Sequence, residues 1–162
     1  MRDWVVGGAV IESDEGLLLV CNRRRDGSCD WTPPGGVIDE GETLLDGLTR
    51  EVFEETGLHV EAWDGPLYEV VVEAAGLGWR LRVEAWRART FAGCVQVGDD
   101  PDGIVIDAGF VALPDCHERL HGVHAWVREP LGQWLAERWE GTRAFHYDVA
   151  GADRSDLRVT RR

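Results

Sequence analysis

The chain has 162 residues, with 17 basic against 30 acidic side chains and a net charge of −13 at pH 7. That length suits one domain, since domains typically hold roughly 100–200 residues, and 44% hydrophobic with 29% charged residues is globular rather than disordered composition. A strongly acidic chain repels nucleic-acid polymers and anionic membranes, so neither is an expected partner.

Every basic residue is arginine, which excludes Schiff-base lysine chemistry and a Walker A loop. The four cysteines, Cys21, Cys29, Cys94 and Cys116, form no C-x-x-C pair. They are read as free thiols in a reducing cytoplasm. No apolar run approaches the 18 residues or so of a membrane helix, and Gly7, Gly8 and Glu12 interrupt the first apolar stretch, so no span or secretory leader is expected.

Trp4 to Ile11 reads as a strand, Ser13 to Gly16 as a turn and Leu17 to Cys21 as a second strand. Arg23 to Asp30 reads as a polar loop. Pro33-Pro34-Gly35-Gly36 dictates a rigid extended turn. A helix is expected from an N-cap at Thr43 to Thr56, stopped by Gly57, with Leu45, Leu48, Thr49 and Val52 on its core side. Tyr68–Ala75 and Trp79–Thr90 read as strands joined at Gly76-Leu77-Gly78. Residues 95–103 read as an acidic loop and Ile104–Leu113 as a strand. Pro114–Leu120 and Leu131–Trp139 read as helices, with a short strand at Tyr147–Val149, so the segment from about 114 is expected to be mainly helical and irregular. Strands, a helix, strands and helices in that order imply a mixed α+β sandwich in a single domain, 1–162.

The expected helix breaks two local rules. Glu51, Glu54 and Glu55 stand at i, i+3 and i+4 on one arc, where like-charge neighbours cost roughly 0.2–0.5 kcal/mol each. They also occupy its last turns, where the helix dipole disfavours negative charge. Such violations gather at functional sites, and this one adjoins the Pro-Gly-Gly turn. Three convergent carboxylates are hard oxygen donors suited to Mg²⁺ or Mn²⁺.

Gly36, Glu42 and the run Arg50-Glu51-Val52-Phe53-Glu54-Glu55-Thr56-Gly57-Leu58 fill every defined position of G-x5-E-x7-R-E-U-x-E-E-x-G-U, where U is a bulky aliphatic. This resembles the Nudix box. The resemblance implies an α/β/α sandwich with a mixed central sheet, and Mg²⁺-dependent hydrolysis (Mn²⁺ as alternative) of a nucleoside diphosphate linked to another group. It makes Glu54 and Glu55 metal ligands, Glu51 a ligand or general base, Gly36 a carbonyl ligand, and Arg50 and Glu42 residues that orient loop and helix.

Outside the box, Arg23 and Arg24 are candidates for phosphate binding. Asp99, Asp100, Asp102 and Asp107 are candidates for a further acidic residue, Asp107 foremost. His117, His121 and His124 are spaced along one helical face, but Gly122 interrupts it. The tryptophans, Trp31 included, are read as core or anchoring residues. A proline that would mark ADP-ribose members is replaced by Glu73. The fingerprints choose no substrate; the compact chain, without an obvious extra dimerisation domain, favours a nucleoside triphosphate or similar small nucleotide as substrate partner, with ADP-ribose or a nucleotide sugar as alternative, and a non-catalytic nucleotide sensor from another class. A homodimer stays open.

Overall fold

The computed structural model describes residues 1–97, 101–153 and 155–162. Its first strands are β1 (Arg2–Val10), β2 (Glu12–Ser13), β3 (Gly16–Arg23), β4 (Cys29–Thr32) and β5 (Gly35–Val37). Helix α1 (Leu44–Thr56) follows, then the long strands β6 (His59–Ala74) and β7 (Trp79–Ala92), and β8 (Val105–Val111). The chain ends with α2 (Leu113–Arg119), α3 (Ala125–Glu137), β9 (Arg143–Ala150) and β10 (Arg158–Arg161).

Two sheets form among the described residues. One has six strands in the order β10-β9-β6-β7-β1-β5; β1–β7 and β6–β9 are parallel and the other pairs antiparallel, so the sheet is mixed. The other pairs β3 with β2, β4 and β8. Strand β3 links the two cores. Side chains alternate across a strand, so Leu17 and Leu19 enter a core with Tyr68, Val70, Val72, Tyr147, Leu131 and Trp134, while Leu18 enters a second with Ala9, Ile11, Leu48, Val52 and Val60. Helix α1 closes the second core, and α2 and α3 close the first. Helices thus lie on both sides of a mixed sheet, as expected.

Helix α1 has the expected ends. Thr43 Oγ1 accepts a hydrogen bond from the Asp46 N–H (3.1 Å), and Gly57 at φ 76° donates to the Phe53 carbonyl. Leu48 and Val52 are fully buried, whereas Leu45 and Thr49 are half-buried. The helix seats closely on β1, because a β-carbon at Gly7 would stand 3.2 Å from Leu48.

Several boundaries differ from expectation. The loop expected over 23–30 is shorter, because β3 runs through Arg23 and β4 starts at Cys29, paired in register with it. Strand β6 begins nine residues early, at His59; register shifts around Ala62–Tyr68 obscure its alternation. Helix α3 starts at Ala125 and carries Pro130 inside it, where a sequence reading starts the helix after the proline. The C-terminal segment carries two strands beyond its helices, since β9 finds a parallel partner in β6 and β10 then adds to β9.

The cysteines require a correction. Cys21 and Cys29 are joined as a disulfide, and only Cys94 and Cys116 are free. Sequence spacing hides this pair. The β3–β4 register sets the two residues diagonally across adjacent strands with Cα atoms 5.8 Å apart, within disulfide range.

Leu48→Ala should destabilise the chain by about 2–5 kcal/mol, because the backbone contact at Gly7 limits collapse of the cavity. Thr43→Ala should cost only about 1 kcal/mol as a lost cap. Urea unfolding of the two variants measures the contrast; equal losses would mean that the Leu48 contact does not anchor α1.

Candidate active site

Strand β5 is three residues long and runs antiparallel to β1, with Gly7 opposite Gly36 and Gly8 opposite Gly35. Gly35 sits at φ 151°, and a β-carbon there would lie 2.1 Å from the Gly7 carbonyl oxygen, so only glycine fits. A β-carbon at Gly36 would lie 2.7 Å from the Glu51 carboxyl carbon. The Gly-Gly turn is therefore pressed between β1 and the acidic face of α1.

Each carboxylate of that face is held. Glu55, 6% exposed, accepts a hydrogen bond from the Gly35 N–H at 2.7 Å. Arg50 donates two bonds of 2.9 Å to Glu42 and reaches Glu51 (3.3 Å) and Glu54 (3.2 Å) through its other terminal nitrogen; Asp39 lies 3.4 Å away. Glu42 also accepts from the Asp39 N–H (3.0 Å), which ties the loop to the helix. The bonds to Arg50 pull the Glu42 carboxyl down to about 2. Glu51 goes the other way. Burial, with the charges of Glu54 and Asp102 added, raises it to about 7 despite Arg50.

Among the described residues, no three acidic, His or Cys side chains stand together as a ready cation cage; the Arg50 guanidinium bonds to carboxylates that would form one. The donor set nevertheless fits a hard divalent cation. It offers the Glu51, Glu54 and Glu55 oxygens and, beside them, a Gly36 backbone approached so closely that any side chain would fill the space.

The candidates outside the box separate. Asp99 and Asp100 lie outside the described residues. Asp102 is exposed and close enough to act on the charge of Glu51. Asp107 is exposed, stands opposite Cys21 and accepts from the Ala108 N–H at 2.8 Å. By alternation it shares the side of β8 that carries Val111 into the first core, away from α1. Arg23 is exposed at the end of β3. Arg24 binds Asp30 through Nε at 2.7 Å.

Arg24 and Asp30 belong to a feature that sequence reading missed. A cleft of about 690 Å³ is lined by Trp4, Trp79, Trp126, His124, Arg24, Asp30 and Thr32 among others. It shares Thr32, Leu81, Trp126 and Val127 with a smaller pocket of about 200 Å³ whose wall is Pro33-Pro34-Gly35-Gly36 with Gly7 and Gly8. The aromatic cleft thus leads to the Gly-Gly turn. His124 stacks on Trp126 (centroids 4.0 Å apart, 11° between planes), and Trp79 meets Trp126 edge-on. Burial, then the charge of Arg24, lowers the His124 pKa, which favours a neutral ring. No local motif signals this cleft, because its residues come from segments far apart in the chain, among them β1, the β3–β4 hairpin, β5, β7, the α2–α3 connection and α3. A separate cavity of about 450 Å³ between α2 and α3 has no α1 residue in its lining.

A mixed sheet with helices on both sides, and a glycine turn pressed on a carboxylate-bearing helix, define a class of domain built around acidic oxygen donors. The NUDIX domain profile matches residues 1–135, and the chain belongs to that family. An 8-oxo-dGDP phosphatase of Mus musculus is 30% identical over 124 residues, covering 73% of this chain and 36% of that protein. An RNA pyrophosphohydrolase of Agrobacterium fabrum is 30% identical over 115 residues, covering 59% of this chain and 68% of that one. The crystal structure of a MutT NUDIX hydrolase from Burkholderia pseudomallei superposes with a TM-score of 0.67 at 28% identity, covering 82% of this chain and 98% of that one. The chain spans about a third of the length of the first curated relative.

The raised Glu51 carboxyl fixes the sign of a pH effect on the metal-free protein. Its unfolded value is 4.5 and its folded value about 7. The folded state therefore holds this proton more tightly, and its stabilising contribution is complete below about 4.5 and lost as pH rises through 7. Thermal midpoints of metal-free wild type should fall more steeply between pH 4.5 and 8 than those of Glu51→Gln. Parallel curves would show that Glu51 titrates normally.

Proposed function

We propose that the chain is a divalent-cation-dependent pyrophosphohydrolase that cleaves a diphosphate linkage in a small nucleotide, with a nucleoside triphosphate or similar compound favoured. One observation carries this reading: the Glu51, Glu54 and Glu55 face and the aromatic cleft meet at the same Gly35–Gly36 turn. A substrate lying along that path would set its base among Trp4, Trp79 and Trp126 and its diphosphate at the turn. The names of relatives, an 8-oxo-dGDP phosphatase and an RNA pyrophosphohydrolase, support the class of reaction. The net charge of −13 favours a small nucleotide over a polymer.

Glu51, Glu54, Glu55 and the Gly36 carbonyl would hold Mg²⁺, or Mn²⁺ in its place. The bound cation would neutralise phosphate charge and lower the pKa of the attacking water. Water adds to phosphorus, the bond to the leaving phosphate oxygen breaks, and the water proton passes to a carboxylate of the α1 face. Glu51 is the favoured acceptor, since its burial raises its proton affinity in spite of the bond from Arg50. Arg50 orients this face by gripping Glu42, Glu51 and Glu54 together. Arg24 lines the cleft and offers donors to phosphate or base oxygens; Arg23, one residue earlier on the hairpin, is a weaker candidate. Asp107, facing away from α1, is given no role. On the same reading the setting is cytoplasmic, where Mg²⁺ and small nucleotides are both at hand.

The test is product release from nucleoside triphosphates, ADP-ribose and nucleotide sugars with Mg²⁺. Wild type should turn over at least one compound, and Glu54→Gln or Glu55→Gln should lose at least ~10²-fold in kcat/KM. Trp4→Ala should instead raise KM with kcat held, on the scale of about 1–3 kcal/mol for one stacked base. Tight nucleotide binding without turnover, unchanged in the glutamine variants, would replace the enzyme with a nucleotide sensor.

A further inference from the structure

We infer that Cys21 and Cys29 form a reversible thiol–disulfide switch that orders one wall of the nucleotide cleft; the inference rests on the cleft reading above. The placement of the pair carries it. Cys21 is buried on β3 (4% exposed), and Cys29 is exposed at the start of β4. Between and beside them stand the residues of the cleft wall. Asn22 donates to the Asp30 carbonyl (3.3 Å) and to Thr32 Oγ1 (2.8 Å), and Asp30, next to Cys29, holds Arg24. Arg24, Asp30 and Thr32 all line the cleft.

The wall needs such a tie. Strand β4 has four residues, and among the described residues its one strand partner is β3. Without a cross-link, the hairpin end is closed by the Arg24–Ser28 and Gly27–Arg24 backbone bonds and the local Asp26–Ser28 turn. A short edge strand with one partner opens readily. The S–S bond closes the loop that carries Arg24 and so orders the wall before substrate arrives.

The surroundings also suit reversible chemistry. Cys29 is exposed, Arg23 is its cross-strand partner, and Arg24 and Arg25 follow in the same loop. Buried Cys21 is at hand as the resolving thiol. With hydrogen peroxide as oxidant, the Cys29 thiolate attacks one peroxide oxygen, breaking the O–O bond to give a sulfenic acid and hydroxide. The Cys21 thiolate then attacks the Cys29 sulfur, the S–S bond forms, and the sulfenic oxygen leaves as water after taking up a proton. Two thiols and one peroxide yield one disulfide and two waters. A cellular dithiol returns both electrons by exchange through a mixed disulfide. Disulfides in a reducing compartment are generally of this transient kind.

The experiment compares the full chain after peroxide and after dithiothreitol. Alkylation under denaturing conditions should tag Cys94 and Cys116 alone in the oxidised form and all four cysteines in the reduced form. Trypsin should cut after Arg23, Arg24 and Arg25 faster in the reduced form. A non-hydrolysable nucleoside triphosphate, titrated by calorimetry, should bind roughly three- to tenfold tighter to the oxidised form, the scale of one or two side chains ordered in advance. A Cys21→Ser/Cys29→Ser variant should lose both dependences and Cys94→Ser should keep them. Absence of the Cys21–Cys29 cross-link after peroxide, or a cross-link that leaves proteolysis and affinity unchanged, overturns the switch. Redox-dependent proteolysis with no nucleotide affinity in either state overturns the cleft reading, and the coupling with it.

Discussion

Four carboxylates meet one guanidinium at Arg50. Helix α1 carries its acidic residues where the helix dipole and their mutual repulsion both oppose them. An arginine on the same helix offsets part of that cost and leaves the carboxylates in place. The fork geometry matters, because a guanidinium can grip Glu42 with two nitrogens and still reach Glu51 and Glu54. The grip on Glu42 extends to the loop before the helix through the Asp39 N–H. Compensation is uneven along the face. Glu51, the most buried of the Arg50-linked carboxylates, keeps an elevated proton affinity, and so it is the one whose charge a bound cation would change most.

The second constraint is steric. The Gly35–Gly36 turn touches the β1 backbone on one side and the Glu51 carboxylate on the other: a side chain at Gly35 would strike the Gly7 carbonyl, and one at Gly36 would displace the Glu51 carboxylate. This contact sets backbone carbonyls beside side-chain oxygens without a dedicated binding loop. Glu55 completes it by accepting the Gly35 N–H, which anchors the turn to the helix. Packing of Leu48 against Gly7 sets the distance from helix to sheet, so the position of the acidic face follows from the second hydrophobic core.

The other end of the path is made differently. Aromatic rings from β1, β7 and α3 close on a short hairpin stem whose polar residues are tied to one another. The acidic face is a rigid product of one helix and one turn. The cleft is assembled from β1, β5, β7, the β3–β4 hairpin, the α2–α3 connection and α3, among others, and its hairpin wall is a short strand paired with β3. Binding would therefore be easier to modulate at the cleft than at the carboxylates, and the Cys21–Cys29 pair sits in that wall.

By itself the sequence determined helix α1 from its Thr43 cap to Gly57, the common arc of Glu51, Glu54 and Glu55 on it, and the mixed α+β layering. These rest on local physics: an N-cap, a C-terminal glycine, the 3.6-residue period and the conformational limits of proline and glycine. Only the tertiary structure decided the rest. The Cys21–Cys29 pair and the side of β8 on which Asp107 lies depend on strand register, while the cleft joins Trp4 and Trp79 of the sheet to Trp126 of α3 and its N-cap His124. Register comes from contacts between residues far apart in the chain, and a one-residue slip would turn the strand side chains to the opposite face.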